Sequence, residues 1–142
     1  MTVLSLDQAQ AIIAGALDKA RELELKPLTV AVLDPGGHLI AFAKQDNSSL
    51  LRQQIALGKA AGALGLGISS RTIGNVAADR PLFIAAVGTM SPNGLVPGPG
   101  GVIVDDGSGG VAGAVGISGD TGDNDETCVL AGIAAAGLSP LN

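Results

Sequence analysis

Tryptophan and tyrosine are absent from this chain of 142 residues, and Phe42 and Phe83 are its only aromatics. A surface that stacks nucleic-acid bases combines exposed aromatics with a basic groove. Eight Lys and Arg against 13 Asp and Glu give a net charge of -5, so neither requirement is met and nucleic acid is not expected as a partner. Cys128 is the single cysteine and His38 the single histidine. One cysteine closes no disulfide within the chain, and two such residues far apart in sequence are not expected to build a metal site. No apolar run approaches the roughly 20 residues that cross a bilayer. The first residues, Met1-Thr2-Val3-Leu4-Ser5, lack the basic start and apolar stretch of an export signal. A cytoplasmic protein with no membrane partner is the expectation.

What is present is aliphatic. Hydrophobic residues make up 46% of the chain, so the core must be built from Ala, Val, Ile and Leu. The 22 glycines imply many turns and close backbone approaches. The length suits a single domain over residues 1–142, and no linker, repeat or change of composition divides it. No Gly-Lys-Ser/Thr follows the glycines, so there is no phosphate loop. A lone histidine among hairpin residues makes no nucleophile triad.

Ser5 and Gln8 have capping-box spacing, and Leu6, Ala9, Ile12, Ile13, Ala16, Leu17, Ala20 and Leu23 recur as one face of a helix that Pro27 closes. Leu28 to Asp34 reads as a strand, Asp34-Pro35-Gly36-Gly37 as a type II turn, and His38 to Gln45 as the returning strand. A helix from about Leu50 to Leu66 follows and carries Gly58, Gly62 and Gly65. Each glycine costs a helix about 1 kcal/mol relative to Ala, so close approach of another element is expected there. Ser69 or Ser70 caps a short helix ended near Pro81, and Leu82 to Val87 reads equally as helix or strand. Thr89 to Gly101, with three Pro and four Gly, reads as a long irregular loop.

Two short β-like runs, Gly101 to Asp105 and Val111 to Ile117, are joined by a turn beginning Asp106-Gly107. In the second run Val111, Gly113, Val115 and Ile117 share one face, and Ala112, Ala114, Gly116 and Ser118 form a nearly bare one. A bare strand face admits a helix, a second subunit or a flat ligand. Asp123 and Glu126 have capping-box spacing for a last helix through Leu138. The order helix, strand, strand, helix, helix, strand, strand, helix indicates an α+β domain, an antiparallel sheet flanked by helices.

Several residues carry more than one reading. His38 is a metal or haem ligand, a proton carrier, or a solvated turn residue. Arg52 and Lys59, seven apart on one helical face, hold a carboxylate or serve as solubilising charges. Asp125 and Glu126 are a general base or helix-capping acids. Cys128, early in the last helix, is a thiol activated by the helix N-terminus or a buried inert one.

The segments Val32-Leu33-Asp34-Pro35-Gly36-Gly37-His38-Leu39, Ile55-Ala56-Leu57-Gly58-Lys59-Ala60 and Pro99-Gly100-Gly101 resemble the GlcG/HbpS-like family, also called the haem-degrading domain family. So do Gly113-Ala114-Val115-Gly116-Ile117-Ser118-Gly119 and Asp123-Asn124-Asp125-Glu126. The resemblance spans nearly the whole chain. It implies a profilin-like α/β/α arrangement, a homo-oligomer and small-molecule binding near the glycine-rich loop. It also implies kinship with the C-terminal domain of PduO-type corrinoid adenosyltransferases and with haem-binding sensors. On that basis one expectation is a haem-binding module with His38 as axial ligand, and Arg52, Lys59 or Arg71 meeting the carboxylates near Gly100 and Gly101. The alternative is an enzyme, an isomerase or lyase, acting on a small carboxylate. There Lys59 is the anion clamp, Asp125 or Glu126 the base, and the Gly100 and Gly101 N–H groups the oxyanion donors.

Overall fold

The computed structural model describes residues 2–141. Its elements run α1 (Leu6–Glu22), β1 (Thr29–Leu33), β2 (Leu39–Lys44), α2 (Arg52–Leu66), α3 (Ser70–Asp79), α4 (Pro81–Gly88), β3 (Gly101–Asp105), β4 (Val111–Ser118), α5 (Gly122–Ala135) and β5 (Pro140–Leu141). The strands form one antiparallel sheet in the order β2-β1-β4-β3-β5. Helices cover both faces, so the α+β arrangement in three layers is as expected.

α1 starts where its capping box dictates. The Gln8 N–H donates to Ser5 Oγ at 3.1 Å and the Ser5 N–H to Gln8 Oε1 at 3.0 Å. Its buried stripe, Ala9, Ile12, Ala16 and Ala20, packs with Cys128, Val129 and Ile133 of α5 onto Val30, Val32, Val104, Val115 and Ile117 of the sheet. Fully burying each of these Val and Ile side chains is worth about 1.5–3 kcal/mol, and this layer is the main core. On the opposite face Ala60 and Ala61 of α2 meet Leu33 and Ala114.

The bare face of β4 is therefore the seat of α2. A Cβ on Gly116 would overlap the Ala56 carbonyl oxygen, so helix and strand backbones touch directly. One alternation differs from expectation. Ala112 joins Val115 and Ile117 in the main core, because the β3–β4 register slips between Val104 and Asp105.

Three local expectations are corrected, and one left open is resolved. The Asp34 turn is type I, since positive φ falls on Gly37 (+84°) and not on Gly36. The Gly37 N–H donates to Asp34 O and the Asp34 N–H to His38 O, a three-residue hairpin loop ending in a left-handed glycine. α2 begins at Arg52 rather than Leu50, and its N-cap, Leu51, offers no side-chain acceptor. The α5 cap is Thr121, whose Oγ1 accepts from the Asn124 N–H at 3.2 Å; Asp123 and Glu126 turn outward to Arg71 instead. Leu82 to Val87 is helical as part of α4, where Pro81 at the first turn supplies a fixed φ and lacks only a donor the helix would not use. The two-residue strand β5, with Pro140 on the sheet edge, is too short to leave a periodic trace.

Candidate functional site

Two of the expected site residues converge beneath the glycine-rich loop. Lys59 projects from α2 towards β4 and α5, and its Nζ donates to the Ile117 carbonyl at 2.9 Å and to Asp125 Oδ2 at 3.2 Å. The two side chains are only 7% and 1% exposed. The other carboxylate oxygen, Asp125 Oδ1, accepts the Asp120 N–H at 2.9 Å. Burial pushes Lys59 below its ordinary range and Asp125 above, each towards its neutral form. Their mutual attraction and the Asp120 N–H act in the opposite sense and favour the charged pair.

Gly100 closes this pair from above. Its φ of +126° favours glycine, and a Cβ there would lie 2.7 Å from Lys59 Nζ. The Gly101 N–H is already committed, donating to Ser70 Oγ at 2.7 Å. Ser69 caps α3, which frees the buried Ser70 for this role; two adjacent serines in the sequence gave no means of telling them apart. Neither Lys59 nor Asp125 lines any of the four clefts described among residues 2–141.

The remaining cations are engaged elsewhere. Arg71 of α3 reaches α5, donating from Nε to both Glu126 oxygens and from a terminal nitrogen to Asp123. These two carboxylates push its guanidinium further above its already high range. Arg52 donates to Ser118 Oγ at 3.0 Å and to Ser49 Oγ at 3.3 Å. Cys128 is buried, and desolvation with Asp125 and Asp120 nearby pushes its thiol up to about 11, so the reading of an inert thiol is the one the geometry supports.

Asp120 escaped the sequence reading because its partners come from three places. Its oxygens accept from Asn124 Nδ2 (2.8 Å), the Lys26 N–H (3.0 Å) and the Thr121 N–H (2.9 Å). With the Asn124 bond contributing most, its pKa falls from 3.8 to about 2. The ionised form thus stabilises the fold above about pH 4, and that contribution is lost as pH falls towards 2. An Asp120→Asn protein should therefore lose stability less steeply than the parent over this window in urea unfolding. Equal slopes would show that the three bonds do not hold in solution.

His38 stands apart from the cations, at the hairpin turn. Its side chain is 82% exposed, with Nδ1 3.3 Å from Asp34 Oδ1. Next to it lies a cleft of about 510 Å³ floored by Ala61, Gly62, Leu64 and Gly65 of α2 and walled by Pro35-Gly36-Gly37 and by Met90, Pro92, Asn93 and Leu95. A Cβ on Gly65 would meet nothing within 4 Å, so this glycine leaves room instead of accommodating a neighbour. The structure brings together Lys59, Asp125 and Gly100-Gly101, and separately Arg71 and Glu126; it does not bring His38 to either group. Among the described residues no helix is long and apolar enough to cross a membrane, and no cluster of His, Cys, Asp and Glu could hold a metal ion.

Residues 4–134 match the family model described as haem degrading protein HbpS-like. Protein GlcG of Escherichia coli is 35% identical over 117 residues, which cover 82% of this chain and 81% of GlcG. Among solved structures, a PduOC:heme complex superposes with a TM-score of 0.87 at 20% identity, over 99% of this chain and 100% of that one. Klebsiella pneumoniae protein ORFY gives 0.85 at 24% identity, over 96% and 92%. A Streptomyces reticuli HbpS double mutant gives 0.81 at 23%, over 94% and 87%. These structural likenesses are likenesses of fold, and with the family match and the GlcG identity they agree on one assignment: the chain belongs to the HbpS-like family.

Proposed function

We propose that this protein is a small-molecule binding protein that takes haem, or a related flat anionic ligand, in the cleft beside His38, and that it works as a homo-oligomer. The observation that carries the reading is the cleft itself. Its volume of about 510 Å³ lies within the roughly 300–1,000 Å³ of ligand pockets, and its floor is open at Gly65, where a Cβ would meet nothing within 4 Å. His38 sits one residue from the rim with Nδ1 turned to Asp34. A carboxylate beside one ring nitrogen orients an imidazole, so His38 would offer Nε2 to the iron of a haem bound beside it. Family membership and the haem in the PduOC complex support the choice of ligand. For assembly, the support is the exposed apolar surface of Leu50, Leu51, Leu82 and Met90.

The enzyme reading has its lysine and carboxylate within reach of one another, but both are buried and already bonded, and neither lines a cleft described above.

Haemin titration followed at the Soret band tests the proposal, with His38→Ala and Gly65→Phe alongside. The parent should give a saturating, shifted band. Gly65→Phe, which fills open space, should weaken binding about tenfold or more, equivalent to about 1.4 kcal/mol, and His38→Ala should remove the shift due to coordination. A band unchanged by both substitutions would move the ligand out of this cleft, and the absence of saturable binding would end the haem reading.

A further inference from the structure

Segment 90–96 separates two clefts. One is the cleft beside His38; the other, of about 500 Å³, lies against Leu51, Ile55 and Leu57. Pro92, Asn93 and Leu95 line both, so the segment is a strap between them. Leu51, Ile55, Gly58, Gly62 and Gly65 follow helical spacing along one face of α2, which makes the floor continuous beneath it.

The strap rests on this floor at two glycines. The Val96 N–H donates to the Gly58 carbonyl at 3.2 Å. A Cβ on Gly58 would lie 2.6 Å from Val96 Cγ2, and one on Gly62 would lie 3.0 Å from Leu95 Cγ. Across the mouth of the first cleft the strap is tied by one side chain, Asn93, whose Nδ2 donates to the Gly37 carbonyl at 3.1 Å in an exposed position. Within the strap, Ser91 Oγ donates to the Gly94 carbonyl and Gly94 has a φ of +87°, so the turn is held together as a unit.

We infer that strap 90–96 is a lid, latched through Asn93 to the Gly37 hairpin, and that lifting it joins the two clefts into one groove along α2. Such a groove lets a flat, largely apolar ligand seated beside His38 extend along α2 beneath the strap. The ligand's identity rests on the binding reading above; the motion of the strap does not.

Hydrogen exchange read by mass spectrometry on the ligand-free parent, Asn93→Ala and Gly58→Ala tests the lid, with stopped-flow haemin binding on the same proteins. Loss of an exposed neutral hydrogen bond should accelerate exchange across 90–96 about two- to tenfold in Asn93→Ala, with core strands unchanged. Gly58→Ala should do the same by lifting Val96, while improved helix propensity keeps its urea midpoint level or higher; haemin association should quicken in both. Strap amides that exchange equally in all three proteins, or only with the core, would overturn the lid. Faster strap exchange without saturable haemin binding would keep the lid and end the haem reading. Faster strap exchange with unchanged haemin rates would show that the strap does not gate the groove.

Discussion

Replacing Lys59 with Met is expected to lower the free energy of unfolding by about 3–5 kcal/mol, the usual cost of removing one partner from a buried ion pair. The substitution leaves the Asp125 carboxylate 1% exposed without its cation and the Ile117 carbonyl without the Lys59 ammonium. Asp125→Leu should fall in the same range, because it strands the ammonium instead. The double variant removes both charges and should lose less than the two singles together. It should not return to the parent's stability, since Ile117 O and the Asp120 N–H each lose a partner, at about 1–3 kcal/mol for a buried group left unsatisfied. Urea unfolding of the four proteins as a double-mutant cycle measures all of this. A Lys59→Met protein as stable as the parent would show that the pair contributes little to folding, and would return it to the catalytic reading.

That pair also marks how far the sequence could be read. Helix α1, the two hairpins and the bare face of β4 at Gly116 followed from local rules: a capping box, a turn dipeptide, a strand face without side chains. The convergence of Lys59 and Asp125 was not local. They lie 66 positions apart and meet only because α2 and α5 cover opposite faces of the sheet and converge at the end of β4. The same holds for Arg71, which was expected to meet a ligand's carboxylates and is bonded to Asp123 and Glu126; those acids in turn read as a helix cap. The cleft was hidden for a different reason. Gly58, Gly62 and Gly65 are equivalent in sequence, and each predicts a close neighbour. Two have one in the strap, and the third faces open space. Nothing in the helical spacing distinguishes contact from vacancy, since that depends on where segment 90–96 crosses.

The second large effect is expected at Gly116. A methyl group there meets the Ala56 carbonyl oxygen and comes within 3.0 Å of the Ala60 nitrogen, and backbone cannot rotate aside as a side chain can. Overpacking of this kind costs about 1–3 kcal/mol and sometimes more, and Gly116→Ala should reach the upper end because α2 carries Lys59. As the helix backs away from β4, the Lys59 bond to Ile117 O lengthens along with the steric relief, so the clash and the loss of the buried bond add. The matched control is Gly65→Ala in the same helix. Its Cβ enters free space at a helical position, so it should stabilise the protein by about 0.5–1 kcal/mol through helix propensity alone. Opposite signs for two Gly→Ala changes are what a helix resting on strand backbone requires. Because α2 lies between β4 and the strap, its outward shift in Gly116→Ala should also loosen segment 90–96. Faster hydrogen exchange of that segment, well below the unfolding midpoint, would trace the displacement through the helix. An unchanged unfolding midpoint would instead mean that α2 does not bear on the strand at this point, and that the bare face of β4 was left for another occupant.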